Sequence, residues 1–144
     1  MRKTLLIITA LMLVVGCSKP EPINYNTTLV QRDGVFYTKD TNKPYAGPVF
    51  SLNKNGQKRS EGTLKDGKKD GKWTLWFSGY IDHNGSDDVG PHYFKQDEGT
   101  YKDGKEDGKW TRWHRNGQKE KEVTFKDGKL IDFKEWDENG NVIE

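Results

Sequence analysis

The oxygen side chains of Asp82, Asn84, Ser86 and Asp88 fall at alternate positions, the spacing that opens a calcium-binding loop. The distal bidentate Glu of such a loop is missing at the right distance, and Gly85 precedes the third ligand instead of following it. The plainer reading is a solvated hairpin tip built on Asn84-Gly85. His83 and His92, with Asp87 and Asp88, are donors a transition metal could use, but no H-x-H or H-E-x-x-H spacing organises them. Asp66, Asp70, Asp103, Asp107 and Asp127 recur in repeated turn motifs. Catalytic groups are rarely reproduced in every copy of a repeat, whereas turn chemistry must be. A hydrolase would therefore have to draw on Asp82, Asp87 or Asp88, and no catalytic residue, metal or cofactor is expected. Trp73, Trp76, Trp110 and Trp113 alternate with Lys and Arg, a pattern that could stack bases or sugars. These four are the candidate binding residues; the bland alternative puts the rings in the core and the cations in water.

The single cysteine, Cys17, rules out an intrachain disulfide and follows an export signal. Arg2-Lys3 form a positive start, residues 5–15 an apolar run broken only by Thr9, and Gly16 the small residue before the cut. A spanning helix needs about 20 apolar residues, and this run stops short. Val14-Val15-Gly16-Cys17 resembles the lipobox of bacterial lipoproteins. That resemblance implies a signal peptide over 1–16, lipidation of Cys17 and a membrane partner through its acyl chains (palmitate among them). Ser18, rather than Asp, after the Cys looks like outer-membrane sorting, so a lipid-anchored place in the cell envelope is expected. Residues 17–28, polar with two prolines, read as a flexible tether.

The balance of the chain excludes some partners. Of 45 apolar residues, 12 lie in 1–17, leaving 33 of 127, about 26%. All seventeen Phe, Trp and Tyr lie in that remainder, so a thin aromatic core replaces an aliphatic one. Once Arg2 and Lys3 are removed from the 24 basic residues, 22 face 22 acidic ones. A finely mixed neutral surface does not capture nucleic acid or anionic lipid.

Self-similarity organises the rest. KDGKKDGKWTLWF at 65–77 returns as KDGKEDGKWTRWH at 102–114, NKNGQKRSEGTLKDGK at 53–68 as HRNGQKEKEVTFKDGK at 114–129, and WHRNG at 113–117 as WDENG at 136–140. Glycines 47 and 71 are 24 apart and glycines 71 and 108 are 37 apart, one unit plus an insertion of 13. Each unit has two turns. Asn55-Gly56, Asn116-Gly117 and Asn139-Gly140 predict type I′ hairpins, and the Lys-Asp-Gly-Lys sites at 65–68, 102–105 and 126–129 predict the second turn. Strands are predicted at Lys72–Phe77, Ser60–Leu64, Lys109–His114 and Glu120–Phe125, and no window carries a helical period. The expected fold is all-β: a meander of stacked β-hairpin repeats in one extended sheet over 47–144, with lead-in strands at 29–46 and an insertion at 79–97. Trp73 and Trp76, like Trp110 and Trp113, are three apart, which puts them on opposite faces of a flat strand. Either a bulge re-aims one ring or both faces are partly covered.

These units resemble the MORN-repeat variant of bacterial proteins, in particular the family named for toxin–antitoxin antitoxins. The resemblance rests on Gly-Lys-Trp-x-x-Trp at 71–76 and 108–113, Asn-Gly-Gln-Lys at 55–58 and 116–119, and the Lys-Asp-Gly-Lys turns. It implies a scaffold, so the expected function is a non-catalytic binding module for a protein or an envelope glycan. The alternative it implies is an antitoxin or immunity protein with a cognate toxin as partner.

Overall fold

The computed structural model describes residues 20–77 and 94–143. Cys17, the export signal, and Asp82, His83, Asn84, Ser86, Asp87, Asp88 and His92 lie outside the described residues. Those described form a chain of hairpins, in order β1 (Ile23–Asn24), α1 (Tyr25–Thr28), β2 (Leu29–Arg32), β3 (Val35–Thr38), β4 (Gly47–Leu52), β5 (Lys58–Lys65), β6 (Lys68–Trp76), β7 (Lys95–Lys102), β8 (Lys105–Glu106), β9 (Gly108–Trp113), β10 (Lys119–Lys126) and β11 (Lys129–Glu135). One sheet runs β1-β4-β5-β6-β7-β9-β10-β11, with β8 on β7, and β2 and β3 make a separate hairpin. Every pairing is antiparallel except β1 on β4. The all-β meander of the sequence reading is the observed fold.

The two turn types exchange roles. Both residues of Asp33-Gly34, Asp66-Gly67, Asp103-Gly104 and Asp127-Gly128 have positive φ, as a type I′ turn requires. At Asn55-Gly56, Asn116-Gly117 and Asn139-Gly140 only the glycine does. The type I′ expectation for Asn-Gly is therefore corrected: each is a three-residue loop ending in a left-handed glycine. Its closing bonds are Asn53 N–H to the Gln57 carbonyl at 2.8 Å and Gly56 N–H to the Asn53 carbonyl at 3.1 Å. The side chain of Asn53 also accepts from the N–H groups of Asn55 and Gln57, both at 2.9 Å. That side-chain bond holds the loop open by one residue, which dipeptide composition does not reveal.

Ile23–Thr28, within the span read as a tether, belongs to the fold. Asn24 caps α1 by accepting from Asn26 N–H, and Tyr25 packs edge-on against Phe36 and Trp73. A four-residue helix is too short to leave a period in the sequence.

The sheet has a covered face and an open one. α1 and the β2–β3 hairpin lie on the first half of the covered face, where Leu29, Val49, Leu64 and Trp73 form the buried core. Phe36 N–H donates to the Gly67 carbonyl and Gly67 N–H to the Tyr45 carbonyl, both at 2.8 Å, tying that hairpin to the Asp66-Gly67 turn. The same contact is repeated down the sheet: Gly104 N–H to the Lys69 carbonyl and Gly128 N–H to the Glu106 carbonyl, each 2.8 Å. Turn is laid on turn.

Candidate functional site

Trp73 and Trp110 go to the covered face, Trp76 and Trp113 to the open face. On the covered face each ring lies on a glycine of the preceding strand, Trp73 on Gly62 and Trp110 on Gly99. Each indole N–H donates to the carbonyl one residue beyond that glycine, Thr63 at 3.2 Å and Thr100 at 3.1 Å. Tyr101 stands edge-on between them, its ring centroid 6.1 Å from Trp73 and 5.0 Å from Trp110. Burial, and next to it the Glu106 carboxylate that accepts from its hydroxyl, push the Tyr101 phenol up to about 12. Trp73 is 1% exposed and is removed from the candidate binding residues: it is core.

Bulges do occur, one in the β5–β6 pairing between Glu61/Thr74 and Thr63/Asp70 and others on the neighbouring strands. The register skips Arg59 between Ser51/Leu52 and their partners, Gln96 opposite Leu75/Trp76, and Glu120 opposite Arg112/Trp113. An extra residue restores the facing of positions three apart. Lys58 and Glu61, Lys95 and Glu98, and Lys119 and Glu122 therefore share the open face and pair there, the first two at 2.8 and 2.7 Å.

Two rows result, running across the strands. One reads Leu52, Lys58, Trp76, Lys95, Trp113, Lys119, with Trp136 at its end. In it each ammonium lies over the next ring, Lys58 over Trp76 at 5.6 Å, Lys95 over Trp113 at 5.8 Å and Lys119 over Trp136 at 5.6 Å. The second row reads Phe50, Glu61, Thr74, Glu98, Thr111, Glu122, Lys134. Glu98 takes Lys72 at 3.2 Å besides Lys95, and Glu122 takes Lys109 at 3.2 Å besides Lys119. Burial raises the Glu98 carboxyl, but its hydrogen bonds from Lys95 and Lys72 outweigh that and hold it below the usual glutamate range. The Lys119 hydrogen bond does the same for Glu122 against a smaller burial. Around Trp76 the face hollows into a depression of about 720 Å³, with Lys58, Glu61, Lys72, Lys95 and Glu98 on its rim.

The recurring aspartates are structural. Asp70 accepts from Asp103 N–H at 3.4 Å, and Asp107 from Asp127 N–H at 3.3 Å, each carboxylate receiving the next turn. The Asp127 N–H and then the Lys126 ammonium hold Asp107 below its ordinary range. Among the described residues no three His, Cys, Asp or Glu side chains converge as metal ligands would. Lys58, Lys95, Lys119, the three glutamates and Trp136 were missed by the sequence reading. Their signal was present as Lys-x-x-Glu at 58–61, 95–98 and 119–122, but residues three apart fall on opposite faces until a bulge is known. Lys95–Asp97, read as the end of the insertion, belongs to β7 and to the repeat.

Fold and face together define a β-hairpin repeat protein that builds one regular exposed surface. Residues 106–127, which span β9 and β10, match the family model of the MORN repeat variant. The chain therefore carries a unit similar to that family, and its internal repeats relate the neighbouring hairpins to it. No curated protein and no solved structure matches the chain.

Proposed function

We propose that the protein is a lipid-anchored, non-catalytic binding module of the bacterial cell envelope, with the open face as its binding surface. The observation that carries this reading is the division of labour between faces. The covered face consumes its rings in Trp-on-Gly packing and the lead-in hairpin, whereas the open face repeats Trp, Lys and Glu side chains that the fold does not need for its core. Similarity to a repeat family of scaffold type supports it, as does the assignment of the recurring aspartates to turns. The anchoring rests on Val14-Val15-Gly16-Cys17, and the outer membrane is the favoured site if the cell is Gram-negative.

Two measurements test it. Full-length protein in detergent should capture envelope material, and a Trp76→Ala/Trp113→Ala double variant that still melts cooperatively should capture far less. Equal capture by both would sink the face assignment. Cys17→Ser should move the protein to the soluble fraction; retention in the membrane would contradict lipid anchoring.

A further inference from the structure

The open face has a period and a charge, and both point to one ligand chemistry. Trp76, Trp113 and Trp136 recur every second strand, so neighbouring rings are about 9–10 Å apart, and a lysine stands between each pair. A polymer laid along this row meets ring, ammonium, ring, ammonium, one group per strand. The repeat therefore suits an extended chain of two alternating units, the first offering a flat C–H face to indole and the second an anion to lysine. In a β-1,4-linked pyranose chain each sugar advances by nearly one strand spacing and alternate sugars turn over, so a disaccharide spans two strands.

The charge count favours an acidic version of that chain. Glu98 and Glu122 each face two ammonium groups, leaving the face in lysine excess although the whole chain is nearly balanced. The carboxylates also lie lower: Glu98 is 22% exposed where its partners Lys95 and Lys72 are 47% and 69% exposed. Solvent, and any ligand, meets the ammonium first. Between the glutamates, Thr74 is buried and donates its hydroxyl to Glu98 at 3.3 Å, while Thr111 places a hydroxyl beside the row.

We infer that the Lys–Trp row binds a β-1,4-linked glycan strand in which every second sugar carries a carboxylate. This rests on the binding-module reading above and names the ligand of that face. The probe is glycan strands released from peptidoglycan by an amidase, with a lactyl carboxylate on every second sugar; the neutral control is the hexamer of β-1,4-linked N-acetylglucosamine. Titration calorimetry with the full-length protein in detergent should show affinity for the acidic strands rising from tetra- to hexasaccharide as a third ring engages. Trp113→Ala should weaken it about tenfold, and Trp113→Tyr, which keeps a ring, should restore most of it. Lys95→Gln should weaken binding of the acidic strand several-fold more than binding of the hexamer. Equal affinity for both glycans, no dependence on length, or full binding by Lys95→Gln would each overturn the inference. If neither glycan binds while Trp113-dependent capture of an envelope protein persists, the inference fails and the binding-module reading stands.

Discussion

The indole of Trp110 lies against the Cα of Gly99 so closely that a methyl group there would come within 2.1 Å of the ring. Gly62 stands in the same relation to Trp73, at 2.3 Å. The last repeat provides an internal control: Val123 takes the glycine position and Phe133, not Trp, pairs with it. Glycine and tryptophan thus act as a unit, and the size of one sets the size of the other.

Gly99→Ala is therefore expected to destabilise the fold by about 1–3 kcal/mol, the usual cost of overpacking a fixed site. Gly62→Ala should cost at least as much, because Trp73 is fully buried. Urea unfolding followed by tryptophan fluorescence checks both, and midpoints equal to the parent would refute the interlock.

The turn assignment separates two substitutions that composition treats alike. Asp127 has φ of 52°, whereas Asn116 is absent from the left-handed residues. Asp127→Val should cost about 1–3 kcal/mol in backbone strain, while Asn116→Val loses two exposed hydrogen bonds and no strained backbone: the 3.0 Å bond it accepts from Gln118 N–H and the 2.8 Å bond it donates to the Glu138 carbonyl. Gly117→Val should also destabilise, since Gly117 has φ of 84°. Thermal melts that rank Asn116→Val as worse than Asp127→Val would reverse the assignment.

Acid should weaken the molecule through Glu98 and Glu122. Both carboxyls are held below the ordinary glutamate value of 4.5 by their lysines. A group that binds its proton less tightly when folded stabilises the fold above the unfolded value and loses that contribution as pH falls through the folded one. The melting temperature should therefore drop below about pH 4.5, more steeply in the parent than in Glu98→Gln/Glu122→Gln. These pairs are well hydrated, so the difference is expected to be about 0.2–1 kcal/mol per pair. Identical acid limbs would remove the pairs from the stability argument.

Alkali acts through Tyr101, whose phenol holds its proton to about 12. Its proton is bound more tightly folded than unfolded, so stability is complete below the ordinary value of 10.0 and declines as pH rises from there toward 12. Ultraviolet titration should show Tyr101 ionising late, and Tyr101→Phe should remove its share of the late step, burial raising the Tyr45 phenol as well. Its ionisation near pH 10 in the folded protein would contradict the packing between Trp73 and Trp110.

Much of the fold was legible because the signals are local. Asp66-Gly67 and its copies need left-handed backbone within two residues, and no distant partner is required to read that. The Asn-Gly loops were misassigned because the side-chain acceptor that lengthens them, Asn53 in one copy and Asp137 in another, lies outside the dipeptide. The site was half legible. Trp76 and Trp113 were found by their spacing to Lys and Arg, but Trp73 carries the same neighbours in sequence and is core.

The sequence by itself determined that hairpins repeat, where most of them turn, and that rings would replace aliphatic side chains, because turn chemistry and composition act residue by residue. Only the tertiary structure decided which rings face outward and which lysines join them. The bulges at Arg59, Gln96 and Glu120 exist only between two paired strands, and burial of Trp73 depends on Tyr25 and Phe36 arriving from a segment far away in the chain.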